Sequence, residues 1–519
     1  MKKSLQRVFE YHETTKHAQN RYARSLGYMD WDTQPDPFRT YSGVKTLKLP
    51  LAMDNTTPPY HLLDDDLPSA PLVVESISQL LQFSMGIAAW KESGGSSWAV
   101  RCNASSGNLH PTEAYLILPP VLKEQQDKST LYHYAPKDHS LETLSEFETQ
   151  FWDDLPKDSF LIGLSSITWR EVWKYGERAF RYTQLDAGHA WQSFVVSAKM
   201  LGWKVTRLDS VSNDDLSVVF GLGQKDRFFE SENPDMLFVV SPNKADPALN
   251  LDSLIGDMPL KFEGIANRLS ESMQDWDIIP AIEQATTNFE IPQKTKEQSR
   301  VKKSPTRESK DVVLNRRSVH FMKKDISTIT KVQFHNILKS VALSQDAKEN
   351  SAHLTLFVHL VEDYESGLYI LIRNERDKEA LQKQMNQNFE WSETELDNLY
   401  LLESKDFTMS SREISCNQYI ASNGAFNMGM LCNFSQQLQE YGAHRYKELY
   451  WECGAIGQQL YLEATSMGLS GTGIGCFLDD AMHQILGLRD NRFQVLYHFT
   501  VGRGSVDSRI LTKPAYINR

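Results

Sequence analysis

Two stretches of this 519-residue chain match at one fixed spacing, and that match limits what the chain can fold into. Residues 175–202 read YGERAFRYTQLDAGHAWQSFVVSAKMLG, and residues 441–468 read YGAHRYKELYWECGAIGQQLYLEATSMG. The pairs Tyr175/Tyr441, Gly176/Gly442, Gly188/Gly454, Gln192/Gln458, Ala198/Ala464 and Gly202/Gly468 each lie 266 positions apart. Asp186 and Glu452 keep an acid at a matched place, and the same spacing pairs Asp214 with Asp480 and Gly221 with Gly487. Coincidence at one spacing without a gap indicates an internal duplication, and so long a period excludes a solenoid. The chain reads as two copies of one domain.

A linker separates the copies. Residues 291–310 include QKTKEQSRVKKSPTRESK, with seven Lys or Arg and almost nothing apolar. Such a composition cannot bury enough surface to offset its ordering entropy. The expected organisation is a first domain with an N-terminal extension at 1–290, the linker at 291–310, and a second domain at 311–519. The net charge of −12 leaves no basic surplus to displace counterions from a nucleic acid. The opening MKKSLQRVFEYHETTKHAQN has no apolar signal region. No segment approaches the ~20 consecutive apolar residues that span a bilayer. Cys102, Cys416, Cys432, Cys453 and Cys476 form neither a CxxC pair nor a zinc spacing. A cytoplasmic protein with free thiols and no metal site is expected.

The repeated stretch has helical periodicity from Trp191 to Leu201 and from Ile456 to Met467, with Gly202 and Gly468 where each helix would end. Its apolarity predicts a central helix buried on most sides. Strand-like runs are AYLIL, LYHYA and MLFVVS in the first copy, and LTLFVHL, GLYILIR and VLYHFTVG in the second. Hairpin-like neighbours mixed with helices predict an α+β domain.

Several short segments then resemble one family. NRRSVHF at 315–321 resembles the RRSxRxF opening of nitroreductase-like flavoproteins. RCNASSGNLHPTEAY at 101–115 resembles their Ser-Ser-Gly-Asn flavin loop. The duplicated YG segments, with YHETTKH and DWDTQPDPF near the start, look like the SagB/ThcOx branch. The resemblance covers nearly the whole chain, in two tandem copies. It implies an FMN-dependent oxidoreductase whose fold is a mixed sheet flanked by helices. Family members are usually homodimers with FMN at the interface, so a tandem chain implies a pseudo-dimer within one monomer, with higher oligomers open. Fusion raises the effective concentration of the halves.

The resemblance also implies site residues. Arg316 and Ser318 match the phosphate positions, Arg317 lies between them, and His320 stands where the family usually has Arg or Lys. Guanidinium and hydroxyl groups suit phosphate oxygens, although a basic pair beside a linker is also an ordinary solvated feature. Arg101, Asn103, Ser105, Ser106, Gly107 and Asn108 belong to the flavin loop; His110 either contacts the ring edge or caps the next element. In GTGIGC, Gly473, Ile474 and Gly475 match a family segment that passes the isoalloxazine, where glycine permits close backbone approach. A plain turn is the alternative there, and Cys476 faces either flavin or core. Arg503 and Arg509 in VGRGSVDSR are further phosphate candidates. Lys174 and Tyr175 match the Lys-Tyr acid–base pair of the azoline dehydrogenases in this branch. The ordinary reading is an exposed lysine beside a packing tyrosine, and for His189 a satisfied core histidine.

The intact parts are complementary. By the 266 spacing, Gly473, Ile474 and Gly475 align with Arg207, Leu208 and Asp209. SQDAKENSAHLTLF, the second-copy counterpart of the flavin loop, lacks its glycine and proline, and the first copy has no RRS, although Lys16 could do phosphate work. One FMN between the halves is therefore expected, with the mirror site lost. The function expected is hydride transfer between flavin N5 and a small organic substrate, with NAD(P)H a possible donor. Alternatives are a peptide azoline dehydrogenase and a non-catalytic flavin-binding or scaffold protein.

Overall fold

A computed structural model of the chain describes residues 2–121, 128–208, 211–242, 251–259, 261–287, 307–342, 350–505 and 507–516. Most of the expected linker, and residues 343–349 of the second copy's loop counterpart, lie outside them.

Each copy builds a seven-stranded sheet. In the first, the spatial order is Thr46–Lys48, Ser140–Phe147, Ser129–Ala135, Thr112–Leu118, Phe160–Ser166, Asn233–Ser241, Lys204–Arg207. In the second it is Ser392–Glu393, Leu399–Ser404, Gly367–Leu371, Ala352–Val358, Phe426–Asn433, Phe493–Gly502, Ser470–Ile474. Six of the seven strands correspond in order, which gives the duplication its structural form; the outermost strand differs, coming ahead of the rest in the first copy (Thr46–Lys48) and from within the repeat in the second (Ser392–Glu393). Neighbouring strands pair antiparallel along both ladders, and a parallel bridge from Ser318 to Gly471 adds to the edge strand of the second. Every strand-like run of the sequence falls on a strand of these sheets, with LTLFVHL and GLYILIR each running two residues past the strand's end. The inner ones are buried along their whole length, as MLFVVS is, because both sheet faces are covered.

The two repeated segments form long helices, Ala179–Lys199 and Arg445–Ser466. Gly202 and Gly468 follow them at φ +64° and +72°, where helices terminate without a Cβ penalty. The helices cross at the matched glycines. A Cβ on Gly188 would lie 2.2 Å from the Trp451 carbonyl oxygen, and one on Gly454 would lie 2.1 Å from that of Leu185. Leu185 and Trp451 are themselves a 266-spaced pair, so the contact is two-fold in character. Two chemically equal contacts on either side of the crossing explain why glycine stands in both copies.

The halves interlock beyond this crossing. Tyr182 and Leu185 share one apolar core with Tyr446, Tyr450 and Cys453. The C-terminal strand Leu511–Pro514 pairs with Ile87–Ser93 of the first copy. At the other end, the N-terminal helix Lys2–Thr14 packs Phe9 edge-on against Phe434, and His12 bonds Tyr446 and Gln494.

Candidate functional site

The loop RCNASSGNLH connects Ser96–Arg101 to Thr112–Leu118 and runs along the junction of the halves. Gly107, Asn108 and His110 all have positive φ, at 60°, 60° and 52°. Non-glycine residues hold such conformations only where their surroundings over-determine them. Here the second copy supplies the clamp. Gln458 accepts from Ala104 N–H (3.0 Å) and donates to the Cys102 carbonyl (3.3 Å). Arg316 donates from Nε to the Cys102 carbonyl (2.9 Å) and from Nη2 to that of Arg101 (3.0 Å).

Arg316 is thus buried as a strut between the halves, with its guanidinium over Tyr461 and its Nη1 without a partner. Arg317 is only half-buried and donates to the carbonyls of Leu314 and Arg316. Among the described residues no carboxylate pairs with either guanidinium. Burial, and then the Arg316 charge, bring the Arg317 pKa down to about 10. Ser318 forms a parallel bridge with Gly471, which seats the basic segment beside the glycine segment. Its Oγ lies 2.7 Å from Tyr461 Oη, and that oxygen also accepts from Gly473 N–H at 2.8 Å. Gly473 and Gly475 are half-buried; their missing Cβ atoms make room for Tyr497 and Tyr182, which pack from behind. Ile474 is buried.

The remaining sequence candidates divide by place. Arg503 stands where 503–505 pairs with 321–322, close to Ser318 along the chain. His320 is exposed, and Arg509 is held by Asp507. Arg101 directs its guanidinium to Pro37 and Phe38, away from the loop. Asn108 donates to the Ala99 carbonyl and accepts from or faces His110 Nε2 at 3.1 Å. Asn103 Oδ1 and His110 Nδ1 are buried without partners. Burial, with Arg101 and Arg170 nearby, holds His110 well below its usual pKa, so it is neutral. His189 is likewise buried, lowered to about 3, and bonded to Tyr497: a core histidine. Lys16 pairs with Glu13 and Asp480 and has no free role toward phosphate.

Lys174 and Tyr175 end the short helix Trp169–Tyr175 and reach the loop: a Cβ on Gly107 would lie 2.7 Å from Tyr175 Oη and 3.2 Å from Lys174 Nζ. Gly176, at φ +53°, turns the chain from there into the central helix. Beneath them are two acids the sequence did not single out for chemistry. Asp186 accepts from Ser106 N–H (2.9 Å) and Ser106 Oγ (2.9 Å), yet burial raises its pKa to about 7. Glu171, buried, has no hydrogen-bond partner on either oxygen. Burial, and then Asp186, push it well above the carboxylate range, so it is a neutral acid. The matched acid pair Asp186/Glu452 was the one signal in the sequence; nothing in the pattern singles out Glu171.

The mirror position differs. Arg207, at the place of Gly473, lies 3.6 Å from Glu448 and over the rings of Trp191 and Trp451. A cleft of about 30 Å³ remains there, room for a water or two. Glu452 accepts from Ser351 and Ala352 N–H, as Asp186 does from Ser106, but it is ion-paired to Arg373 at 2.7 Å.

The chain belongs to the nitroreductase family, whose model matches residues 74–229 and 363–503, one stretch in each copy. A crystal structure of a provisional nitroreductase from Anabaena variabilis shares the fold over 96% of this chain and 99% of its own, with TM-score 0.70 and 18% identity. A provisional nitroreductase of Methanocaldococcus jannaschii is 31% identical over 58 residues. That match spans 11% of this chain and 29% of the relative. Part of the E. coli microcin synthetase McbBCD complex aligns with 47% of this chain at TM-score 0.28 and 18% identity. Among the described residues no His, Cys, Asp and Glu cluster could hold a metal, and no helix is long and apolar enough to cross a membrane.

Proposed function

We propose that this chain is an FMN-dependent oxidoreductase with a single flavin site at the junction of its halves. The observation that carries the reading is the half-buried Arg317 guanidinium, with no carboxylate paired to it among the described residues, beside exposed Ser318 and half-buried Gly473 and Gly475. A cation left unpaired at partial burial is an unmet demand for an anion, and a phosphate with its forked oxygens meets it. From the first copy, half-buried Ser105 and Ser106 and exposed Gly107 lie on the loop that the second copy clamps, which suits the remainder of the nucleotide. The residues present therefore fit FMN.

Bound flavin supplies a two-electron carrier that exchanges a hydride with a small organic substrate. The protein's part is to bind, orient and manage protons. Lys174 Nζ and Tyr175 Oη stand at the loop as proton donor or acceptor to substrate. Asp186, half-ionised near neutral pH, and neutral Glu171 lie under them as a local proton reserve. At the mirror position Arg207 fills the equivalent space, and Glu452 is held by Arg373. This supports one site per chain.

Purified protein should be yellow and release one FMN per chain. A colourless protein that takes up no added FMN overturns the reading; two flavins per chain overturn the asymmetry. The Lys174–Tyr175 placement favours a second reading, an azoline-type dehydrogenase. Rapid mixing with NADH and with NADPH separates the two: flavin bleaching marks a reductase, and its absence favours a dehydrogenase that passes electrons to oxygen.

A further inference from the structure

Two of the five cysteines meet beside the candidate site. Cys476 directly follows Gly475, and Cys416 lies in the turn between helices Thr408–Ile414 and Tyr419–Asn423. That turn is tight, with Cys416 and Asn417 at φ +54° and +60°. It is tied to the glycine segment by the bond from Leu478 N–H to the Ile414 carbonyl (2.7 Å) and that from Gln418 Nε2 to the Cys476 carbonyl (3.3 Å). Those backbone ties bring the two thiols into each other's neighbourhood, and both side chains are half-buried, open to a small reagent.

The surroundings separate their roles. On the Cys476 side stands the Arg178 guanidinium, which donates to the Gly475 carbonyl at 3.4 Å and adds positive charge. The neighbouring Cys416, and then His17, draw the Cys476 thiol down, and Cys476 in turn holds the Cys416 thiol up. A low-pKa accessible thiolate beside a protonated partner is the arrangement of an attacking and a resolving cysteine. The other thiols lack it. Cys102 is buried and raised to about 12. Cys432 and Cys453, with sulfurs 3.6 Å apart, are fully buried.

We infer that Cys416 and Cys476 form a redox-active dithiol that closes to a disulfide by exchange with low-molecular-weight disulfides. The Cys476 thiolate attacks one sulfur of RSSR, forms a mixed disulfide and releases one thiolate. Cys416 then loses its proton and attacks the Cys476 sulfur, the Cys476–SR bond breaks, and the second thiolate leaves. The two departing thiolates take up the Cys416 proton and one from solvent at neutral pH. The net change is one disulfide formed in the protein and one reduced outside it. None of these steps involves a flavin, so the inference stands apart from the proposed function. Closure would add a covalent tie to the hydrogen bonds that already join the turn to the glycine segment.

The test uses full-length protein incubated with glutathione disulfide at neutral pH, quenched with acid and digested with pepsin. Trypsin is unsuitable, because Cys416 and Cys432 share the fragment 413–445, and Cys453 and Cys476 share 448–489. The expected product is a Cys416–Cys476 cross-linked peptide, reversed by dithiothreitol, with Cys102 unmodified. Cys416→Ser should halt at a stable glutathione adduct on Cys476. Cys476→Ser should give neither adduct nor cross-link. Unmodified Cys476 in the wild-type protein, an adduct that never resolves while Cys416 is present, or modification spread evenly over all five cysteines overturns the inference. Near-native circular dichroism of both variants shows that the outcomes report on chemistry and not on unfolding.

Discussion

Asp186 and Glu452 descend from one position, yet only Glu452 has a cation beside it. Asp186 has hydroxyl and amide donors and no guanidinium, so burial dominates and its pKa rises from 3.8 to about 7. The folded state then binds a proton that the unfolded chain releases. This contribution to stability is full below about pH 4 and is lost as pH rises through 7. Asp186→Asn keeps an acceptor for Ser106 and removes the titration. The unfolding free energy from urea titrations should fall from pH 5 to pH 8 by on the order of 2–4 kcal/mol more for wild type than for the variant. An equal slope in the two proteins counts against this account. The arginines make a second contrast at the same scale. Arg316→Ala should lower stability by about 3 kcal/mol, because two charge-assisted bonds to buried carbonyls go with it. Arg317→Ala should leave the thermal midpoint nearly unchanged and weaken FMN binding, read by equilibrium dialysis. The RRS pattern identified these residues as a group; it could not tell the strut from the free cation, because that depends on which guanidinium the loop of the other half covers.

At the scale of elements, periodicity and spacing carried far. The central helices, their glycine ends and the strand runs were all legible, because each is set by local pattern. The crossing of the helices was not. Gly188 and Gly454 were visible as matched residues, but their reason is a backbone of the other copy about 2 Å from where a Cβ would stand. Gly188→Ala should cost about 3 kcal/mol by forcing the helices apart, and Gly454→Ala the same. Gly256→Ala, at a position with open space, should cost far less. Denaturant unfolding of the three variants checks the order. The antiparallel ladders likewise lay beyond the sequence pattern, since alternation reports faces and not strand direction.

The whole molecule is held together by more than its linker. The C-terminal strand completes a sheet of the first half, the N-terminal helix packs on the second, and one apolar core runs through both. A specific protease site inserted between residues 291 and 306, once cut, should leave the two fragments co-eluting by size exclusion at the size of the intact chain. Separate elution would show that the shared core is not sufficient. The sequence by itself determined the duplication, the α+β class and the family, because each rests on residue identity and pattern along the chain. Only the tertiary structure decided what RCNASSGNLHPTEAY meets: Gln458 and Arg316 from the other half, and Lys174, Tyr175 and Asp186 from its own. The first two stand 354 and 214 positions from their loop partners, and the packing of the two copies against each other, which no local pattern encodes, brings them together.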